Sequence, residues 1–190
     1  MDNLKDKIWL TSKSRVYSEE RIRRYSITAH LLLTYMSVLM IVVSVFSDEL
    51  RETVPYFEKI RISLSVLLLA GSLVILNARF PEKAEIFRKC YLELDELYRN
   101  FEKESDPAQK YAEILSLCPN HAGRDYKNMV VDKTLLEGKK LHSGDEEIRC
   151  TKAMIMMRFA RHGSYWIAVS TLPAIITWLL FAPFIGKIAE

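Results

Sequence analysis

The sequence predicts an all-α integral membrane protein with two to three transmembrane helices and a cytoplasmic helical bundle. Three observations carry this expectation. Three long uncharged stretches interrupt an otherwise charged chain of 190 residues. Basic residues gather on one side of those stretches. The remaining segments show apolar residues at helical spacing. Apolar residues make up 49% and charged residues 27% of the chain, so a disordered chain is excluded, and so is a disulfide scaffold. A formal net charge of +3 is too small to point to nucleic acid, and no direct nucleic-acid binding is expected.

Residues 1–26 place Leu4, Ile8, Thr11, Arg15, Ile22 and Tyr25 on an imperfect helical stripe, and this helix is expected to run into the first span. That span, 27–47, is ITAHLLLTYMSVLMIVVSVFS; at 1.5 Å per residue it is about 31 Å long, the thickness of a bilayer core. It does not read as a signal peptide, because the leader holds four acids and no small-residue cleavage site follows the apolar run. Residues 48–61 are expected as a short extracytoplasmic loop, with Tyr56 and Phe57 as interfacial anchors. The second span is 62–78, near the lower length limit. The third stretch, 164–185, is a transmembrane or membrane-associated helix interrupted by Pro173 and Pro183, which would kink it.

Orientation follows the basic residues. Residues 1–26 carry seven, Lys5, Lys7, Lys13, Arg15, Arg21, Arg23 and Arg24, whereas 48–61 carries three. Arg79, Lys83, Arg88 and Lys89 follow the second span. The N-terminus and residues 79–163 are therefore expected in the cytoplasm. A third crossing puts the tail Lys187–Glu190 outside. Cys90, Cys118 and Cys150, odd in number and widely spaced, are expected as reduced thiols.

Within 79–163, Phe87, Cys90, Tyr91, Leu94, Leu97, Tyr98 and Phe101 alternate at steps of three and four, which predicts an apolar-aromatic stripe on a helix over 82–103. Phe87, Tyr91, Leu94, Tyr98 and Phe101 are its packing candidates. The partner is the N-terminal helix, the next helix, or another copy. Residues 107–117 predict a short helix, and Cys118 to Tyr126 a turn built on Pro119 and Gly123. Residues 127–147 read as a loop or short helix, and 145–163 as a basic, methionine-rich helix attracted to anionic lipid.

Chemistry-bearing patterns are sparse. Cys118, His121 and His142 match no standard zinc spacing. His121 and Asp125 would meet on a helix, but no nucleophile accompanies them; a polar turn satisfying backbone groups is the simpler role for Asn120, His121, Asp125 and Tyr126. Nucleotide loops and hydrolase motifs are missing. No enzyme activity, cofactor or metal is expected. In the first span Thr34, Ser37 and Ser44 draw a polar stripe near His30. They either bond to their own helix or face a wet pathway between subunits. Ala70, Gly71 and Ser72 allow close helix approach in the second span.

Several segments together carry a resemblance: LKDKIWLTSKSR at 4–15, ERIRRYS at 20–26, the two close spans, YLELDELY at 91–98 and YAEILSLCPNHAGRDY at 111–126. The chain resembles the SLATT proteins, the SMODS- and SLOG-associating two-transmembrane effectors of bacteria, and most of all the branch found beside reverse transcriptases. The third apolar stretch departs from a strict two-span description. The resemblance implies a homo-oligomeric effector of the bacterial inner membrane that forms a pore or disrupts the bilayer in an antiviral, abortive-infection or conflict system. It implies as partners a nucleotide second-messenger synthase, a SLOG-type sensor or a reverse transcriptase. The alternative is a membrane anchor that recruits such a partner without forming a pore. No catalytic residue is implied.

Overall fold

The computed structural model describes residues 2–144 and 146–188. The side chains of 183–190, which include Pro183 and the tail Lys187–Glu190, lie outside the described set. Seven α-helices, one π-helical turn and a small hairpin make up the described chain. Helix α1 runs Asp2–Val45 without a break, since the chain meets no proline before Pro55 and no glycine before Gly71. Helix α2, Ser47–Thr53, and α3, Phe57–Ala78, follow. The expected loop 48–61 is thus mostly helical, with a turn where Pro55 removes a backbone donor. Tyr56 and Arg79 flank α3 in the left-handed region, at φ 58° and 49°, and so separate it from the helices on either side.

Helix α4 spans Phe80–Arg99 and α5 spans Pro107–Leu117, whose N-cap Asp106 accepts a hydrogen bond from the Gln109 amide at 3.0 Å. The expected turn after α5 is shorter than its sequence suggests. Gly123 opens helix α6, Gly123–Val131, which continues into a π-helical turn, Asp132–Leu136. Strands β1, Leu141–Ser143, and β2, Glu146–Ile148, then pair antiparallel. Residues 146–148 were expected as helix. Gly144, at φ 64°, reverses the chain instead, and the three-residue strands are too short to show an alternation in sequence. Helix α7, Lys152–Ile188, passes through Pro173.

The chain divides into two compact units. The first comprises residues 1–24 and 80–162. Its α1 segment lies antiparallel to α4: Ile8 packs with Leu94, Leu97, Phe101 and Ile114, while Ile22 packs with Ala84 and Phe87. Leu10 joins Met129, Val130 and Leu141, which seats the hairpin and α6 on α1. Each such buried aliphatic or aromatic side chain contributes about 1.5–3 kcal/mol. Cys90 and Cys118 form a disulfide with a Cα–Cα distance of 5.9 Å, which corrects the expectation of reduced thiols; Cys150 is free. Sequence spacing hides the pairing because the turn between α4 and α5 folds α5 back along α4. Closing this loop of 28 residues contributes about 3–4 kcal/mol in the chain-entropy picture.

The second unit comprises residues 25–79 and 163–190. Its small core is Leu39, Val43, Leu50, Val54, Phe57 and Leu180. The Tyr165 hydroxyl donates to Thr28 Oγ1 at 2.5 Å, and Tyr35 and Thr177 hydroxyls pair at 2.5 Å, so α7 runs parallel to α1 here. Among the described residues, three helical stretches are long and apolar enough to cross a membrane, and the apolar windows within them are 17%, 0% and 6% buried. Such exposure of apolar surface is incompatible with water and expected of lipid. Among the described residues, nothing lies within 4 Å of the Cβ position of Gly71.

Candidate functional site

Two clusters hold the residues singled out by sequence, one in each unit. In the first unit, the α1 face that carries Ile8 also carries Thr11, Ser12, Arg15 and Ser18, all inward. Ser12, Ser14, Arg15 and Ser18 are buried. Opposite them lie α5, the irregular segment 118–122 and α6. Asp125, in the first turn of α6, is 1% exposed. It accepts from Arg21 through both carboxylate oxygens, at 2.8 and 2.9 Å, and from the Ser18 hydroxyl at 2.7 Å. This bidentate, charge-assisted arrangement clamps α6 onto α1. Thr11 and Tyr111 share a hydrogen bond of 2.9 Å that joins α1 to α5. Arg158 reaches Asp132 at 3.2 and 3.3 Å and ties the start of α7 to the π-helical turn.

Asn120 is exposed and His121 is half-buried, both ahead of α6. The His121 and Tyr126 rings lie 6.4 Å apart. Burial, and then the positive charge of Arg15, hold the His121 imidazole below its ordinary pKa, against a smaller opposite pull from Asp125. Burial likewise raises the Tyr126 phenol. The acid–base pair that the spacing of His121 and Asp125 allows does not form: Asp125 is taken by Arg21 and Ser18, and His121 Nδ1 has no hydrogen-bond partner. Cys118 is bonded to Cys90, and among the described residues no three His, Cys, Asp or Glu side chains converge as metal ligands. The stripe residues Phe87, Leu94 and Phe101 are buried and Tyr91 and Tyr98 half-buried, against α1 and α5. Arg15, Ser18 and Arg21 are central to this cluster, yet sequence reasoning did not select them as site residues. The available signal was Arg15 itself, a charged residue at a core position of the α1 stripe.

In the second unit, Thr34, Ser37 and Ser44 lie exposed on α1, opposite buried Leu39 and Val43. Each hydroxyl donates to the carbonyl four residues back, His30, Leu33 and Met40 respectively, at 2.8–2.9 Å. A helix in lipid has no water to satisfy a hydroxyl, and this internal bond does so. The stripe therefore tolerates hydrocarbon, yet it retains acceptor lone pairs that a water-filled passage would hydrate. His30, one turn before Thr34, is exposed.

The chain matches the SMODS and SLOG-associating 2TM effector domain family 5 over residues 1–185. No curated protein and no solved structure matches the chain.

Proposed function

This chain belongs to the SMODS and SLOG-associating 2TM effector domain family 5, and from that premise we propose that it is a bacterial inner-membrane effector whose copies assemble into a pore or otherwise breach the bilayer. In this reading the first unit stands in the cytoplasm, where the reducing pool works against its Cys90–Cys118 disulfide, and it restrains the assembly. A SLOG-type sensor, a nucleotide second-messenger synthase or a reverse transcriptase releases the restraint during infection, and the cell stops growing before a phage matures. The chain enters the second unit after Arg24, leaves it after Arg79 and enters it again after His162, which agrees with three apolar helices in that unit. The basic residues before Ile27 and after Arg79 support a cytoplasmic first unit.

The observation that carries the pore reading is the polar stripe. Thr34, Ser37 and Ser44 face away from the small core of their own unit, so in an assembly of several copies they are available to line a central passage. The effector acts only if its trigger binds the open arrangement better than the resting one. The test is induced expression with a membrane-potential dye. The wild-type chain depolarises cells before viability falls, whereas Thr34→Leu with Ser37→Leu inserts normally and does not depolarise. Unchanged depolarisation in the double variant sinks the lining role.

The internal hydroxyl bonds favour a second reading, a lipid-facing anchor that recruits its partner and forms no pore. An anchor tolerates both leucine substitutions, keeps the membrane potential intact and still brings its partner to the membrane.

A further inference from the structure

Among the described residues, four buried side-chain atoms have no hydrogen-bond partner: Arg15 Nε and Nη1, His121 Nδ1 and Asn128 Oδ1. Arg15 is 1% exposed and heads the fully buried side chains by volume. A guanidinium does not shed its proton at accessible pH, so it stays charged in this setting. Burial opposes that charge and lowers the Arg15 pKa, against a smaller upward pull from Tyr111. Tyr111 is itself engaged with Thr11. The two buried carboxylates are committed elsewhere, Asp125 to Arg21 and Ser18 and Glu19 to Arg23. A buried cation without a counter-charge is among the costliest features a fold can retain, and a retained one calls for a partner.

His121 lies close enough to Arg15 for the guanidinium to depress its pKa. The imidazole is thus held neutral, with Nδ1 open to donate. It sits in the irregular segment 118–122, where Pro119 and Asn120 are exposed, so solvent reaches the chain one residue from the ring. Helix α6 follows at once, opening at Ala122 with no side-chain cap, and adds the partial positive charge of its N-terminus. Arg15 offers a positive charge and N–H donors, and the neutral His121 ring adds one N–H donor; neither side chain brings a negative charge.

We propose that Arg15 and His121 form a receptor for a small oxyanion of the phosphate or carboxylate class, entering from solution past the 118–122 segment. The oxyanion neutralises the buried guanidinium, accepts hydrogen bonds from Arg15 and from His121 Nδ1, and fixes the 118–122 segment against α1. Asn128 Oδ1, an acceptor, takes no part. The site is independent of whether the second unit forms a pore, because it lies wholly within the first.

The test uses the full chain in detergent micelles, with inorganic phosphate and acetate as separate probes and chloride at matched ionic strength as the baseline. Phosphate or acetate raises the melting temperature saturably above the chloride baseline, and whichever does so at lower concentration identifies the class. Arg15→Met, which keeps the bulk and removes the charge, abolishes the shift. Arg15→Lys binds the same probe about tenfold more weakly, the equivalent of one charge-assisted hydrogen bond. Should Arg15→Met fail to fold, ring-proton NMR of the wild-type chain decides: the probe raises the His121 titration midpoint. The proposal is overturned by a melting temperature that neither probe moves beyond chloride, by an equal shift in Arg15→Met, or by an unmoved His121. It is also overturned by stabilisation that follows protein concentration and not anion, which assigns the counter-charge to a second copy.

Discussion

Hydroxyls on α1 are satisfied across the fold or on their own helix, and both ways occur in each unit, as with Ser14 on the Leu10 carbonyl in the first and Thr28 with Tyr165 in the second, but the balance differs. In the first unit Ser18 and Thr11 spend their hydroxyls across the fold, on Asp125 and Tyr111. In the second unit Thr34, Ser37 and Ser44 spend theirs on their own helix. Charges divide likewise. The first unit buries Arg15 and Asp125, whereas the second exposes Leu31, Leu67 and Leu76 at 65%, 66% and 76%. One uninterrupted helix supplies both behaviours, so backbone conformation does not set them. The surroundings do: a water-facing unit can bury polar residues at its centre and hydrate its rim, while a lipid-facing unit must turn its apolar surface out and satisfy polar groups locally.

The largest test of that contrast is Asp125→Ala. It leaves the Arg21 guanidinium without its bidentate partner in the first unit and adds to the uncompensated charge of Arg15, and it lowers unfolding stability by about 3 kcal/mol or more. Denaturant unfolding in micelles, followed through the Trp9 environment, reads the loss. A cost no greater than that of an ordinary surface change would show that the clamp between α6 and α1 is dispensable.

A paired substitution sharpens the comparison further. Leu67 in α3 and Leu117 in α5 are both exposed, at 66% and 80%. Leu67→Lys faces hydrocarbon and costs about 3 kcal/mol of membrane insertion, read as the inserted fraction in isolated membranes. Leu117→Lys faces water and changes stability by less than about 0.5 kcal/mol. Equal effects at the two sites would erase the distinction between the units.

The contrast between the units was legible in sequence to different degrees. The apolar stretches announce the second unit by length alone, and α4 announces its buried stripe because steps of three and four survive from Phe87 to Phe101. Pro107 and Asp106 mark the start of α5 through local cap chemistry that needs no tertiary information. The hairpin is different, since Leu141 and Ile148 are the only apolar residues of two three-residue strands, too few to set a period. The disulfide is hidden for another reason: Cys90 and Cys118 meet only after α5 folds back on α4. The candidate site was half legible. Asn120, His121, Asp125 and Tyr126 stand out as a polar turn, but their partners Ser18 and Arg21 lie about a hundred residues away and look like ordinary surface residues. Arg15 breaks the apolar rule of its own stripe, a local inconsistency that the sequence reading left unused.

The smallest effect concerns the one titration near neutrality in that cluster. At pH 8 the His121 imidazole is neutral in both folded and unfolded chains. As pH falls through the ordinary value of 6.5, the unfolded chain takes up the proton, while burial and Arg15 hold the folded ring neutral. The unfolded state gains, so stability present above pH 6.5 declines toward pH 5.5. Glu20 works the other way at lower pH. Burial and neighbouring Glu19 raise its carboxyl above 4.5, so protonation there favours the folded chain. Comparing wild type with His121→Asn in chloride buffer separates the two. The variant loses the decline between pH 7.5 and 5.5 and keeps the Glu20 contribution. A decline of equal size in His121→Asn would place the responsible proton elsewhere in the first unit and leave His121 exposed to solvent in a way its burial beside Arg15 does not allow.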